Sequence, residues 1–284
     1  MSDRHNYEYQ VDMNGQTAPA RVVRMVGERK RVLEIGAGPG SITKILTHAK
    51  MCDVTALEVD VTAIEKLAPH CKKVVKGDLN DPEWPQLLKS EIPFDVLVCA
   101  DVLEHVYSPD KVLVAMTQFL DTNGYMVVSL PHVGHAAIHA CLYESDFEYR
   151  DWGLLDRTHI RFFGLTNIQS LFANAGLKII DVEFVIAAPE QTEFSERWAR
   201  LPESLKHALQ QNPTGSIYQV VVKAVRARDE GTSVDIRSKV VGLPAMTSPC
   251  SFKQIARRLA RRYLAPELRA SLRQILNAIR ITRE

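Results

Sequence analysis

Residues 32 to 40 read Val-Leu-Glu-Ile-Gly-Ala-Gly-Pro-Gly, and this stretch decides the fold of the 284-residue chain. Val32, Leu33 and Ile35 form an apolar run typical of a strand buried on both faces, and the sequence turns helical from Ser41. Three alternating glycines between these elements let backbone approach a ligand closely at the carboxyl end of a parallel sheet. The dinucleotide-binding fingerprint would need glycine or alanine at position 41, where this chain has serine.

Further apolar runs continue the alternation of strand and helix along the chain. We predict further strands at 54–60, 74–76, 94–100, 125–130, 177–187 and 216–225, and helical stretches at 17–26, 41–50, 62–67, 111–120, 166–175 and 190–211. Strands separated by helices need crossover connections, which favour parallel pairing. The pattern therefore predicts an α/β protein with a seven-stranded, mostly parallel sheet and helices on both faces.

Composition divides the chain into four parts. We expect an N-terminal arm at 1–16, a main domain at 17–227, a linker at 228–250 and a basic amphipathic helical tail at 251–284. Residues 131–165 fit neither period, and an insert after the fifth strand falls over the ligand-binding edge of the sheet. We therefore expect this insert to be a lid that covers the substrate.

The small net charge of +1 conceals an uneven distribution, because residues 1–250 carry −6 and residues 251–284 carry +7. Basic amphipathic helices bind anionic membrane surfaces, and they also pack on protein partners. We expect the tail to use one of these two surfaces rather than nucleic acid. The sequence shows no signal-peptide core, no membrane-spanning run and no C-x-x-C pair among its five cysteines, so we expect a cytoplasmic protein. The basic tail leads us to expect a peripheral position at the inner membrane face.

Acidic residues follow four successive predicted strands. Glu34 lies near the end of the first predicted strand, Glu58 ends the second, and Asp101 comes at the end of the fourth. A carboxylate at the end of the second strand can accept hydrogen bonds from both ribose hydroxyls of a nucleoside. Asp78, after the third strand, can receive an adenine amino group. Four such carboxylates at one edge of a sheet predict a nucleoside site.

Four motifs are similar, in this order, to consecutive motifs of the class I S-adenosylmethionine (SAM)-dependent methyltransferases. They are the glycine run at 32–40, Ala-Leu-Glu-Val-Asp at 56–60, Gly-Asp-Leu at 77–79, and Phe-Asp-Val-Leu-Val-Cys-Ala-Asp-Val-Leu-Glu-His at 94–105. Thr-His-Ile-Arg-Phe-Phe at 158–163 and Asn-Ala-Gly at 174–176 narrow the resemblance to the type 11 and type 23 group. The resemblance covers residues 17–225 and implies a Rossmann-like fold with SAM as cofactor. It implies cofactor contacts from Glu34, Gly36, Ala37, Gly38, Gly40, Glu58, Val59, Asp78, Leu79 and Asp101.

Methyl transfer to a hydroxyl needs a base, and histidine has a suitable pKa near ~6.5. His132 and His135 follow the fifth strand, which such a fold directs toward the methyl donor, and His105 follows the fourth. We expect the catalytic base among these three, with the fifth-strand pair preferred.

A divalent metal is the alternative to a simple base. If a helix begins at Asp101, the i, i+3, i+4 spacing places Asp101, Glu104 and His105 on one face, with a fourth ligand from His132, His135 or His159. This arrangement resembles that of magnesium-dependent ubiquinone-biosynthesis O-methyltransferases and of enzymes that methylate the 3′-terminal ribose of small RNAs. We prefer the metal-free interpretation, because the same letters recur in metal-free relatives.

The insert is both cationic and aromatic. A sugar ring or a phosphorylated acceptor suits this combination through stacking and charge-assisted hydrogen bonds, although the aromatic residues could also form a core of their own. The residues that we expect to bind substrate are Tyr149, Trp152, Arg157, His159 and Arg161.

Together these features predict a SAM-dependent methyltransferase that O-methylates a saccharide or glycoconjugate hydroxyl in cell-surface polysaccharide assembly. Two alternatives stay open. One is metal-assisted O-methylation of a quinone-type phenol or of an RNA 3′-terminal ribose. The other is a non-catalytic subunit with the same fold that recruits a partner through its tail.

Overall fold

The computed structural model describes residues 8–242, and its strands form one seven-stranded sheet. In chain order the strands are β1 (Arg31–Ile35), β2 (Asp53–Glu58), β3 (Lys73–Lys76), β4 (Phe94–Ala100), β5 (Leu120–Pro131), β6 (Leu177–Ile186) and β7 (Ile217–Arg226). Across the sheet they lie in the order β3-β2-β1-β4-β5-β7-β6. The first five pair in parallel, whereas β7 is antiparallel to both β5 and β6. The predicted fold class is confirmed.

Strand β1 lies inside the parallel part of the sheet, and its successive side chains point to opposite faces. Val32 packs into the apolar core on one face, whereas Leu33 and Ile35 pack into the core on the other. All three side chains are buried. Burial on both faces is the reason that this strand reads as an almost continuous apolar run.

Helices cover both faces of the sheet. They are α1 (Ala18–Val26), α2 (Ser41–His48), α3 (Val61–Leu67), α4 (Pro109–Met116), α5 (Ala136–Tyr143), α6 (Leu165–Asn174), α7 (Ser195–Arg200) and α8 (Glu203–Gln210). Apolar residues of α1 and α2 pack on the face that carries Val32, and those of α4 and α6 pack on the opposite face. The result is a three-layer α/β/α body whose parallel strands all end at one edge.

Three elements differ from the sequence prediction. Strand β5 begins at Leu120, five residues early, because Leu120 already pairs with Phe94 of β4. The helical stretch predicted at 190–211 is divided into α7 and α8, since Leu201 is extended in front of Pro202. Helix α5 was not predicted, because its apolar residues are spread around the helix rather than along one side.

The insert at 131–165 is built into the body. Its own small core contains Ala137, Ile138, Cys141, Leu154, Leu155 and, from outside the insert, Phe194. The guanidinium of Arg197 on α7 forms ion pairs with three acidic residues of the insert, Glu144, Asp146 and Glu148. Charge-assisted bonds from one planar arginine fix the geometry of several partners at once. The insert therefore forms a wall anchored to α7 in this structure. Its small core is mainly aliphatic, whereas Tyr143, Tyr149 and Trp152 are exposed, so these aromatic residues do not form the core that was one of the two expectations.

The described part of the region predicted as a linker, residues 228–242, includes a segment that packs into the core instead of connecting two domains loosely. Ile236 is fully buried and Val240 nearly so, and both belong to the main apolar core. The backbone N–H of Ile236 donates to Gln169 Oε1 on α6 at 3.0 Å. Residues 236–242 form a 3-10 turn that closes the body over α6. The rest of the predicted linker and the basic tail at 251–284 lie outside the described residues, as do the first seven residues of the predicted arm.

Within residues 8–242, no helix is long and apolar enough to cross a membrane. The four cysteines in that range, Cys52, Cys71, Cys99 and Cys141, are free thiols.

We predict that Ile236→Ala destabilises the protein by about 2–5 kcal/mol, because it leaves a cavity in the core against α6. Chemical denaturation followed by circular dichroism measures the effect. Val241→Ala is the matched control, since Val241 is 88% exposed and its truncation should change the free energy of unfolding by less than about 0.5 kcal/mol. Equal effects of the two variants would contradict the packed position of residues 236–242.

Candidate functional site

A cavity of about 860 Å³ opens at the carboxyl ends of the parallel strands. This is the edge where open α/β sheets bind their ligands. Seven acidic residues line it, Glu34, Glu58, Asp60, Asp78, Asp101, Glu104 and Asp156. Among the described residues of its wall, Lys66 is the only lysine or arginine. The wall of the cavity is therefore rich in acidic side chains.

The glycine run between β1 and α2 forms one wall of the cavity. Gly36 has φ +67°, and a Cβ at that position would lie 2.5 Å from a methyl group of Val102. Gly38 has φ +55°, but a Cβ there would meet nothing within 4 Å. The first glycine is required by close packing, whereas the second leaves space for a ligand against the loop.

The carboxylate of Glu58 joins this loop to the end of β2. Its Oε2 accepts the backbone N–H of Gly38 at 2.7 Å, and its Oε1 accepts those of Val59 and Asp60 at 2.8 and 2.9 Å. Three backbone donors fix the orientation of the carboxylate. Three of its four lone pairs are thus occupied, and the one that remains, on Oε2, can accept a hydrogen bond from a ligand.

Glu34 is buried beneath the glycine run. Its Oε2 accepts the hydroxyl of Thr43 at 2.7 Å. Burial is the main reason that the pKa of Glu34 rises to about 7, and the negative charge of Glu58 adds to it. A cationic ligand group in the cavity would favour the ionised form of Glu34.

Asp101 lies between the glycine run and the opposite wall of the cavity. Its φ is +54°, and the next turn of 3-10 helix begins only at Leu103, so the helix postulated to begin at Asp101 is absent. The carboxylate instead accepts hydrogen bonds from Ser129 Oγ at 2.7 Å and Gln219 Nε2 at 2.9 Å. Burial raises the pKa of Asp101 despite these two donors.

Asp78 and Leu79 line the cavity beyond β3. Asp78 Oδ1 accepts the backbone N–H of Asn80 at 2.8 Å. Asn80 Oδ1 in turn accepts the N–H of Tyr107 at 2.9 Å, which connects this loop to the loop after β4. All four predicted carboxylates thus lie on one cavity, together with Gly36, Ala37, Gly38, Val59 and Leu79, whereas Gly40 lies behind it.

Glu104, His105 and His159 form a cluster on the wall of the cavity. One potential ligand atom from each lies within 4.8 Å of the others. Glu104 is 1% exposed, and its Oε2 has no hydrogen-bond partner within the described part of the chain. Burial raises the pKa of Glu104 well above its ordinary value, whereas burial and the neighbouring His105 lower the pKa of His159 to about 4.

A hydrogen-bonded chain leads from His105 to a buried carboxylate. His105 Nδ1 lies 3.2 Å from the carbonyl oxygen of Thr158 and 3.0 Å from its hydroxyl oxygen. That hydroxyl donates to Asp156 Oδ1 at 2.7 Å, so its lone pairs face the imidazole. Nδ1 is therefore the protonated nitrogen of neutral His105, and Nε2 is the basic one.

The two preferred histidines lie away from the cavity wall. His132 is buried with Nδ1 3.2 Å from the carbonyl oxygen of Ile217, and it borders a separate cavity of about 260 Å³. His135 caps α5, accepting the N–H of Ala137 at Nδ1 and donating from Nε2 to Ala187 at 2.9 Å. Burial lowers the pKa of His135 to about 4. Their positions differ from the prediction because the chain turns after β5 toward α5 and β7 rather than over the sheet edge.

Of the residues expected to bind substrate, Trp152 and His159 line the cavity. Arg157 is paired with Asp151, and the guanidinium of Arg161 donates to the carbonyl of Tyr107 at 2.6 Å. Tyr149 lies outside the cavity wall and stacks edge-on against Phe147. The insert thus contributes an aromatic ring and an imidazole, and its arginines are occupied elsewhere.

Among the residues of the cavity wall that were not predicted from the sequence, three come from distant parts of the chain. Tyr218 and Gln219 come from β7, which enters the site because it pairs directly with β5. Tyr9 comes from the N-terminal arm. In the sequence, the N-terminal arm is a polar segment with tyrosines at positions 7 and 9. Nothing in that pattern indicated that Tyr9 would lie at the cavity.

Comparison with known proteins agrees with the geometry. A family model described as a methyltransferase domain matches residues 5–182. The mitochondrial ubiquinone biosynthesis O-methyltransferase of Schizosaccharomyces pombe is 32% identical over 104 residues, which are 35% of this chain and only 37% of that protein.

Solved structures share the fold. A SAM-dependent methyltransferase from Thermotoga maritima superposes with a TM-score of 0.50 at 16% identity, covering 75% of this chain and 89% of that one. The cyclase SpnF also reaches 0.50, at 14% identity, with 81% and 89% covered. At these identities the likeness concerns the fold alone, and the second structure illustrates that one fold serves different reactions.

We predict that Gly38→Arg lowers the affinity for S-adenosylhomocysteine (SAH) by at least about a hundredfold, because the side chain would fill the space beside the loop. Isothermal titration calorimetry measures the effect. Gly176→Arg is the matched control, since Gly176 has φ +72° and equally open surroundings but lies after α6, off the cavity wall. Unchanged SAH affinity in Gly38→Arg would contradict the assignment of the cavity.

Proposed function

Because this chain belongs to the family of methyltransferase domains that its sequence matches, we propose that it methylates a hydroxyl oxygen of an uncharged acceptor, with His105 as the base. SAM is the cofactor of this family and fold. When bound, it supplies a methyl group already activated on a cationic sulfonium. The protein must bind this donor, align the acceptor and accept one proton.

The residues present fit SAM. The glycine run leaves open space at Gly38, and the oriented carboxylate of Glu58 suits a ribose hydroxyl. Asp78 suits the adenine amino group. Glu34 is buried and Asp101 is half-buried, and the pKa values of both carboxyls are raised, so positive charge is favoured beside them.

The observation that carries the proposal is the chain Asp156–Thr158–His105. It holds the imidazole of His105 at the cavity with Nε2 as its basic nitrogen. Nε2 of His105 would accept the proton of an acceptor hydroxyl as its oxygen takes the methyl group that bound SAM would supply. Asp156 is 2% exposed, and its negative charge favours the imidazolium that results.

The acidic lining supports an uncharged acceptor over a phosphorylated one. Arg150, Arg157 and Arg161 are engaged with Glu148, Asp151 and the Tyr107 carbonyl. Trp152 is 61% exposed at the cavity and offers a flat apolar surface. An aromatic face beside hydrogen-bonding carboxylates suits a saccharide, so a hydroxyl of a saccharide or glycoconjugate is the acceptor that we propose.

We predict that His105→Asn lowers the turnover number by about a hundredfold or more while SAH affinity changes less than about threefold. Methyl transfer from labelled SAM to glycan, lipid and RNA fractions identifies the acceptor, and the best fraction then serves for kinetics. His132→Asn is the control, since His132 lies off the cavity wall. Loss of turnover in His132→Asn or His135→Asn, with His105→Asn unaffected, would assign the base to the fifth-strand histidines. Product from no fraction, with SAH bound normally, would favour the non-catalytic alternative.

A metal-assisted reaction is a second candidate, favoured by the unsatisfied Oε2 of buried Glu104. A buried carboxylate oxygen without a donor is costly, and a cation between Glu104, His105 and His159 would compensate it. His159 Nδ1 lies 3.3 Å from the carbonyl of Leu154, which leaves Nε2 as the ligand atom. The metal would bind acceptor oxygens, and His105 would act as ligand instead of base. The S. pombe relative, named for ubiquinone biosynthesis, makes a phenol the natural acceptor for this candidate.

We predict for this candidate that Mn²⁺ binds the protein and that Glu104→Gln weakens this binding at least about tenfold, because the charged ligand is lost. Electron paramagnetic resonance of the added Mn²⁺ measures the free and bound ion. Asp110→Asn, at an exposed acid of α4, is the matched control. Absence of Mn²⁺ binding, together with turnover unaffected by a chelator, would leave His105 as the base.

A further inference from the structure

We infer that residues 8–16 form a strap over the cofactor cavity and that Tyr9, at its end, is a positioning residue for the methyl donor. This inference rests on the proposed function only in taking SAM as the ligand of the cavity. The strap is the whole described part of the predicted arm, and no catalytic step above uses it.

Tyr9 closes the cavity beside the glycine run. Its ring lines the same wall as Glu34 and Gly36, although the residue as a whole is 46% exposed. Burial and the negative charges of Asp101 and Glu34 raise the pKa of the Tyr9 phenol. Tyr9 therefore lies on the same cavity wall as these two carboxylates, which favour the cationic part of the donor.

The strap is held at its Tyr9 end by contacts to α2 and α3. The backbone N–H of Tyr9 donates to Ser41 Oγ at 3.1 Å. Glu8 forms ion pairs with Lys66 at 2.7 Å and Lys44 at 3.6 Å, and so bridges the two helices that border the cavity. These side chains are between about a third and a half exposed, which makes the two ion pairs individually weak and reversible.

The other end of the strap is attached to α1. Arg24 Nη1 donates to the carbonyl oxygens of Met13 and Gly15 at 2.9 and 3.0 Å, and Arg21 Nη2 donates to Gln16 Oε1 at 2.7 Å. The Tyr9 end can therefore lift from Ser41, Lys44 and Lys66 while residues 13–16 stay attached. Lifting of this end uncovers the part of the cavity beside Tyr9, so the strap contributes to both rates of cofactor exchange.

The experiment measures SAH association and dissociation rates by stopped-flow fluorescence on the full-length chain. We expect Tyr9→Ala to raise the dissociation rate at least about tenfold, whereas Tyr9→Phe, which keeps the ring, should stay within about threefold. Tyr143→Ala is the matched control, because Tyr143 is exposed and off the cavity wall. Thermal melts establish that each variant is folded.

Glu8→Gln separates a strap from a simple contact. The latch is the pair of ion pairs from Glu8 to Lys44 and Lys66. Loosening it should raise the SAH association and dissociation rates together, each about two- to fivefold, and leave the SAH dissociation constant within about twofold of its original value. Glu28→Gln, which removes an ion pair to Lys50 elsewhere on the surface, should change neither rate.

Unchanged dissociation in Tyr9→Ala, with normal binding by the unmodified chain, would overturn the strap and leave the proposed function intact. A Glu8→Gln variant with both rates unchanged would overturn the latch in the same way. Absence of SAH binding by the unmodified chain would instead overturn the proposed function, and this inference with it.

Discussion

The carboxylate of Glu58 is the constraint on which the cofactor side of this structure depends. It accepts backbone donors from two loops, at Gly38 after β1 and at Val59 and Asp60 after β2. A loop with three glycines has many conformations, and a fixed acceptor selects the one that leaves Gly38 open to the cavity. Pairing of β1 with β2 positions that acceptor, so the sheet register determines the shape of the ligand wall.

Sequence patterns were sufficient to place those cavity residues that lie at the ends of strands. Glu34, Glu58 and Asp101 belong to or follow buried strands, and Asp78 follows the edge strand β3. Parallel pairing brings such positions to one edge of the sheet. The histidines were harder, because their positions depend on how a long connection packs. His159 meets His105 across 54 residues of chain, whereas His132 and His135 turn inward to backbone carbonyls. No local period carries that information.

The insert and the arm illustrate the same limit in two ways. The insert carries arginines that suggested anion binding, but Arg157 and Arg161 are bonded to neighbours, and Arg197 from α7 fixes its acidic turn. The arm carries few apolar residues, yet Tyr9 reaches the cavity because Ser41 accepts its backbone N–H. The serine that separates this glycine run from the dinucleotide fingerprint therefore provides an attachment point for the arm.

The order of strands at the β6 edge of the sheet has a consequence for the synthesis of the chain. Because β7 lies between β5 and β6, the earlier-made β6 has no partner strand until residues 217–226 have left the ribosome. The same late strand brings Tyr218 and Gln219 to the cavity, and Gln219 holds Asp101. The edge of β5 that β7 covers therefore stays without its partner strand through the synthesis of almost a hundred residues, and an unpaired strand edge is prone to aggregation.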